Sequence, residues 1–217
     1  MYKDLEHPAI GVWPLQNAPF KMSETPAYNN LTGPLIGQHN KEIFEGLLGV
    51  SHEEFVNGFQ DGTFWPKDYD RDMYPYLQEM IDDASPTEWT GNDPSPSTPP
   101  SPIRSINSNP EGAFTGLRVL EIADKKGQWC GKLMGDMGAD VIKIEKPAGG
   151  DDTRRMGPPF VDDTAAAFLM VNRNKRSITV DLKNENGIYI FKELAKKSDI
   201  LVENLRPGTM EKLGLSY

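Results

Sequence analysis

Seven prolines fall in the twenty-five residues from 86 to 110, and Ser, Asn, Gly and Thr fill much of the remainder. Each proline fixes its own φ, removes a backbone donor and restricts the residue before it, so neither a helix nor a sheet ladder survives here. An exposed, semi-rigid, polyproline-like linker is expected. It divides the 217 residues into 1–85, a linker over 86–112, and 113–217.

The two sides read differently. Residues 7–37 are expected to be extended, punctuated by Pro8, Pro14, Pro19, Pro26 and Pro34. A helix is expected over 40–48, with Ile43, Phe44, Leu47 and Leu48 on one face and Gly49 as its stop. Ser51 is placed to cap a second short helix with Phe55 and Phe59 facing inward. A weaker third helix covers 74–83. After the linker, strand and helix alternate. Strands are expected over 117–123, 140–145, 177–182 and 200–203, with helices over 128–137, 165–171 and 185–197. In the first of these helices Trp129, Leu133, Met134 and Met137 recur at helical spacing, and Cys130 is expected to pack with them. Short connections between alternating elements imply an α/β fold with a parallel, Rossmann-like sheet and flanking helices, preceded by an extended and short-helical tail segment.

Charge narrows the function. Net charge is −9, which argues against a general nucleic-acid binder. Residues 1–112 hold six Lys/Arg against seventeen Asp/Glu, whereas residues 113–217 hold seventeen against fifteen. An anionic ligand is therefore expected in the second half. No run of about 18 apolar residues offers a membrane span, and the opening Met1-Tyr-Lys-Asp-Leu-Glu-His7 lacks the apolar core of a secretory leader. The single cysteine, Cys130, cannot pair internally, and a reducing, cytoplasmic setting is expected. A strand, a turn, a helix and a strand ending in Glu145 outline a dinucleotide site. The turn, however, reads Ala123-Asp-Lys-Lys-Gly-Gln-Trp-Cys-Gly131 and lacks the glycines that admit a pyrophosphate.

The segments Gly116-Leu-Arg-Val-Leu-Glu121, Met137-Gly-Ala-Asp-Val-Ile-Lys-Ile-Glu-Lys-Pro147, Gly150-Asp-Asp-Thr-Arg154, Asn172-Arg-Asn-Lys-Arg-Ser-Ile-Thr-Val-Asp-Leu-Lys183 and Val202-Glu-Asn-Leu-Arg-Pro-Gly208 resemble the amino-terminal part of the class III CoA-transferases. That family includes formyl-CoA and carnitine CoA-transferases and α-methylacyl-CoA racemases. Asn17-Ala-Pro-Phe-Lys-Met-Ser23, Pro34-Leu-Ile-Gly-Gln-His-Asn40 and Glu45-Gly-Leu-Leu-Gly49 resemble its carboxy-terminal end. The order tail, linker, head implies the junction of a tandem protein, in which 1–85 closes a first unit and 113–217 opens a second, truncated one, with a circular permutation as the alternative.

The resemblance implies acyl-CoA and a carboxylic acid as substrates, coenzyme A bound at the carboxyl ends of the strands, and no metal. Its CoA positions fall on Lys146, Val180, Asn204, Leu205 and Lys212, and Lys146, Asn204 and Lys212 are expected to converge. Lys146 supplies the charge sense that CoA phosphate requires. Arg173, Lys175 and Arg176 are read as structural or rim residues, and Asp151 and Asp152 as a turn. His39 is expected to cap or pack. In the family one aspartate carries acyl and CoA groups in turn. It would lie beyond Tyr217, which leaves no catalytic residue here. A racemase, a CoA-transferase/lyase and a noncatalytic CoA-binding module remain as alternatives. The parent is expected to be a dimer or pseudo-dimer without nucleic-acid or membrane partners.

Overall fold

The computed structural model describes residues 2–18, 22, 25–27, 30–66, 74–87, 112–161 and 163–216. The linker expected over 86–112 lies outside the described residues except at 86, 87 and 112. The chain opens on a hairpin that the extended reading missed. Strand β1 (Tyr2–His7) pairs antiparallel with β2 (Gly11–Gln16), from Tyr2 opposite Gln16 to His7 opposite Gly11. Pro14 is tolerated because each strand of a two-stranded ribbon is an edge. A π-helical turn, Glu42–Leu47, follows, and it buries Ile43, Phe44 and Leu47. Helix α1 (His52–Asp61) begins on a capping box in which Ser51 and Glu54 satisfy each other's backbone N–H groups. Helix α2 (Pro75–Asp82) buries Leu77.

Beyond the linker, β3 (Arg118–Ile122), α3 (Gln128–Asp136) and β4 (Asp140–Glu145) lead to a 3₁₀ turn, Asp152–Arg155. A small ribbon, β5 (Phe160–Val161) with β6 (Thr164–Ala165), precedes α4 (Ala166–Val171). The chain continues through β7 (Lys175–Thr179), α5 (Glu185–Lys196), β8 (Ile200–Glu203) and α6 (Thr209–Lys212). Four strands form one parallel sheet in the order β7-β4-β3-β8. This is the expected α/β sheet. Among the described residues no helix is long and apolar enough to cross a membrane.

Side chains alternate across a strand, and here the alternation separates an apolar face from an ionic one. Leu120, Ile122, Ile142, Ile144 and Ile178 belong to the main core with Ile190, Phe191 and Leu194 of α5. Phe44, Phe55, Phe59, Phe64, Trp65 and Leu77 join the same cluster from the other side of the linker. Phe44 and Phe64 stack with ring centroids 4.1 Å apart. The two sides of the linker therefore share one core. The opposite face carries Glu121, Lys143, Glu145, Lys175, Ser177 and Thr179, all buried.

Residues 31–40 close the outer edge of β7. Asn174 N–H donates to Leu31 O at 3.1 Å and His39 N–H to Ser177 O at 2.9 Å. Ser177 N–H donates to His39 Nδ1 at 3.1 Å. Thr179 N–H donates to Asn40 Oδ1, and Asn40 Nδ2 donates back to Thr179 Oγ1, both at 2.8 Å. An open strand edge invites mispairing, and this segment occupies it. As expected, His39 packs. Burial pushes its pKa down from 6.5 to about 4, with the Arg176 charge adding to the effect and Glu42 opposing it.

Replacing Asn40 with Ala leaves the buried Thr179 N–H without its acceptor. A loss of about 1–3 kcal/mol is expected from urea unfolding midpoints. His39 predicts a pH effect of definite sign. Between pH 6.5 and about 4 the unfolded chain binds the imidazole proton and the folded chain does not. Stability contributed by the neutral ring is thus present above 6.5 and falls on acidification, by up to about 1.4 kcal/mol per pH unit. Unfolding of His39→Asn, followed over the same range, should show a shallower slope than the parent chain.

Candidate functional site

The sheet order has a switch point. The chain leaves β3 for β4 on one side and returns to β8 on the other. In open α/β sheets ligands sit in the crevice outside the carboxyl ends of such strands. Asn204, just past β8, joins the two loops there. Its Oδ1 accepts from Asp124 N–H at 3.0 Å, and its Nδ2 donates to Asp124 O at 3.1 Å. Gly127 makes the approach possible: a β-carbon there would lie 2.8 Å from the Ala123 side chain and 2.9 Å from Asn204 Cγ. Leu205 is half-buried against the main core.

Lys146 is exposed just past β4, at the same edge, with β3 between it and Asn204. Its ammonium pairs with Asp152 Oδ1 at 2.6 Å, and Arg155 reaches the same oxygen at 3.1 Å. Lys146, then the charges of Arg155 and Lys125, hold the Asp152 carboxyl below its ordinary range. One carboxylate therefore pairs with two cations, and Lys125, which the motif reading missed, adds a weaker charge without pairing. Lys212 is exposed at the end of α6. Val180, 1% exposed, lies in the shared core. A cleft of about 730 Å³ opens beside the loop after β4, lined in part by Ile36, Tyr74, Tyr76, Gly149 and Arg155. That volume is usual for ligand sites.

Beneath these loops lies a network with no counterpart in the motif reading. Lys143 pairs with Glu121 at 3.2 Å and with Asp151 at 2.8 Å. Lys175 binds both Glu121 oxygens, at 2.8 and 2.9 Å. Arg154 grips Glu145 through two bonds, and Ser177 donates to the same carboxylate at 2.6 Å. Burial works against charge on Lys143, Asp151 and Glu145. For Lys143, the charges of Glu121, Asp151 and Glu145 outweigh burial and raise its pKa; for Asp151 the Lys143 charge, and for Glu145 that of Arg154, hold the carboxyl low. Lys175 goes the other way: burial pulls it down to about 8, further than Glu121 restores it. Arg173 pairs with Asp136 at 2.6 Å, and Arg176 with Asp140 at 3.1 Å. Both arginines are structural, and Asp151 and Asp152 are turn residues that pair with lysines.

Helix α3 keeps only part of the face expected of it: Met134 packs with Val119 and Val141, but the rest turns differently. Trp129 and Leu133 are 46% and 37% exposed and Cys130 is exposed, while Gln128, Gly131, Lys132, Gly135 and Asp136 turn inward. The ionic face of the sheet is the reason. Glu121 needs room, and a bulky apolar face against it would leave its charge unpaired.

The second half of the chain resembles a known family. The model for "CoA-transferase family III" matches residues 114–217. Over that segment the chain is similar to CoA-transferase family III. A mouse succinyl-CoA:glutarate CoA-transferase is 48% identical over 103 residues, 47% of this chain and 24% of its own length. The succinate–glutarate CoA-transferase of Agrobacterium fabrum is 43% identical over 116 residues, 50% of this chain and 29% of its own. A CAIB/BAIF family protein from Brucella suis, 43% identical, aligns over 49% of this chain and 29% of its own with a TM-score of 0.46. The chain thus spans about a quarter of the length of these relatives. All four parallel strands and all five family-implied site residues lie inside the matched family III segment.

Gly131 tests the packing of the family III segment. A β-carbon there would stand 1.9 Å from Glu121 Oε2, and Glu121 is held by two lysines. Gly131→Ala is expected to lower stability by roughly 1–3 kcal/mol, as overpacking does, read from the thermal unfolding midpoint.

Proposed function

We propose that this chain is the junction of a tandem family III CoA-transferase. Residues 1–85 close a first unit, 86–112 link, and 113–217 supply the start of a second unit with part of its CoA platform. The observation that carries the reading is the pair of exposed cations Lys146 and Arg155 on Asp152, within the family III match and at the carboxyl edge of the sheet, with Lys125 exposed on the loop after β3. The charge sense fits a polyanion. Exposed ion pairs contribute about 1 kcal/mol or less, so a phosphate of higher charge can displace Asp152 from Lys146. Asn204 acts through Asp124, holding the crevice loop, and Lys212 adds a cation. Val180 and Leu205 act as apolar walls.

In the parent, an aspartate outside residues 1–217 attacks the acyl-CoA thioester and forms a mixed anhydride, releasing CoA thiolate. The thiolate attacks the anhydride at the aspartyl carbonyl, frees the first acid and leaves an aspartyl-CoA thioester. An incoming carboxylate reverses the sequence. Covalent catalysis divides one difficult exchange into easier steps. The relatives named above couple succinyl-CoA or succinate with glutarate, which favours small dicarboxylic acids as partners. Without the aspartate, the platform offers binding energy alone, and this lowers no chemical barrier unless it favours the transition state.

Calorimetric titration of residues 1–217 should give weak, salt-sensitive CoA binding, reduced about two- to fivefold by Lys146→Ala, on the order of one exposed ion pair. Labelled CoA should not pass from an acyl-CoA to a free acid with this chain alone. Transfer would overturn the assignment of the aspartate, and binding indifferent to Lys146 would overturn the platform.

A further inference from the structure

The strongest feature left unused is the pair of buried lysines. An ammonium has three N–H donors, and Lys143 and Lys175 deploy theirs in the same pattern. Each directs one to Glu121, that of Lys175 shared between the two carboxylate oxygens. Each gives one to a backbone carbonyl at an end of the loop after β3: Lys143 to Ala123 O at 2.8 Å, and Lys175 to Gln128 O at 2.9 Å. The third goes to a side chain, Asp151 Oδ2 at 2.8 Å for Lys143 and Asn172 Oδ1 at 3.1 Å for Lys175. Gln128 is tied further, donating to Asp151 and to Thr153 Oγ1 and accepting from Asn172.

We infer that Lys143 and Lys175, joined by Glu121, are positioning residues that clamp the loop of residues 123–128 at both ends and lock it to the turn that carries Asp152 and Arg155. The inference deepens the proposed function and rests on it, because this loop carries the exposed Lys125 and Asp124, the partner of Asn204. Lys143 holds Ala123 and Asp151 together, so it fixes the spacing between the loop with Lys125 and the turn with Asp152. Preorganised loops bind without losing freedom on contact, which is a gain in affinity. Neither lysine is exposed and both use every donor, so neither is a nucleophile or a direct phosphate ligand.

The test uses the whole chain. Glu121→Gln with Lys175→Met removes one ion pair without leaving a lone charge, and keeps an acceptor for Lys143. Hydrogen exchange by mass spectrometry should then show the amides of 124–128 exchanging at least about tenfold faster, while those of β4 and β7 keep their protection. CoA affinity should fall about tenfold, the scale of a lost preorganisation step. Unchanged loop exchange overturns the clamp. Lost protection throughout the sheet also overturns it, since the group would then merely hold the fold. A loosened loop with unaltered CoA affinity overturns the positioning role. Failure of the parent chain to bind CoA overturns the CoA reading instead, while loop exchange still decides the clamp.

The unmodified chain gives a second measurement that needs no variant to fold. The charged groups around Lys175 are Glu121 from β3, Lys143 from β4 and Asp151 from the loop after it; Gln128 and Asn172 are neutral. Burial brings Lys175 to about 8, so protection at 124–128 should fall between pH 7 and 9.5, and that step should vanish in the double variant. A flat profile in the parent chain overturns the clamp.

Discussion

Breaking a buried ion pair by removing one partner costs about 3–5 kcal/mol, and Glu121 stands between two buried lysines in the strand from which the sheet is wound. The other half of the fold is arranged around that constraint. Helix α3 must close over a charge rather than a hydrophobic surface, so glycines and polar residues face inward and Trp129 faces out. The loop after β4 must bring Asp151 back beneath the sheet, because Lys143 and Lys175 together carry one more charge than Glu121 neutralises. The local balance is two cations and two anions. Once that balance is reached, the crevice loops have little freedom left.

The apolar face depends on a different piece of chain. Phe44, Phe55, Phe64 and Trp65 complete a core that β3, β4 and β7 cannot close by themselves, and residues 31–40 occupy the open edge of β7. In the tandem reading this is a contact between the tail of one unit and the head of the next. The linker then joins parts of one packed body. Sharing a core makes the two parts cooperative, since exposing either face exposes apolar surface on both.

Where the sequence was legible, local chemistry and tertiary packing agreed. β4 and β8 fall at their expected bounds, and Ser51 caps α1. Where it misled, buried charge was the cause. β7 begins at Lys175 rather than Ser177, because Lys175 enters the sheet with its charge neutralised inside it. In β4, Lys143 and Glu145 stand between isoleucines, and both faces are buried. Helix α3 carried apolar residues at helical spacing, yet its inward face is set by Glu121 below it. Of the site positions, Lys146 and Asn204 lie at the strand ends that the motif order implied. Lys125 escaped because its motif gap resembled a turn; its charge is felt by Asp152 only through the fold.

Charge counting alone also misdirects. The basic surplus of residues 113–217 pointed to an anion site, but Arg118, Lys132, Lys143, Arg154, Arg173 and Lys175 are all buried. Their partners Asp140, Asp136, Glu121, Asp151 and Glu145 consume that charge inside the protein. What reaches solvent at the carboxyl edge is a small remainder, chiefly Lys125, Lys146 and Arg155, the last two paired with a single carboxylate. A field from so few exposed cations is short-ranged at physiological ionic strength, screened over about 8 Å. It can orient one phosphate group at the crevice and cannot gather polyanions from a distance. A surplus that is mostly structural therefore suits recognition of a single small anionic ligand better than binding to an extended one.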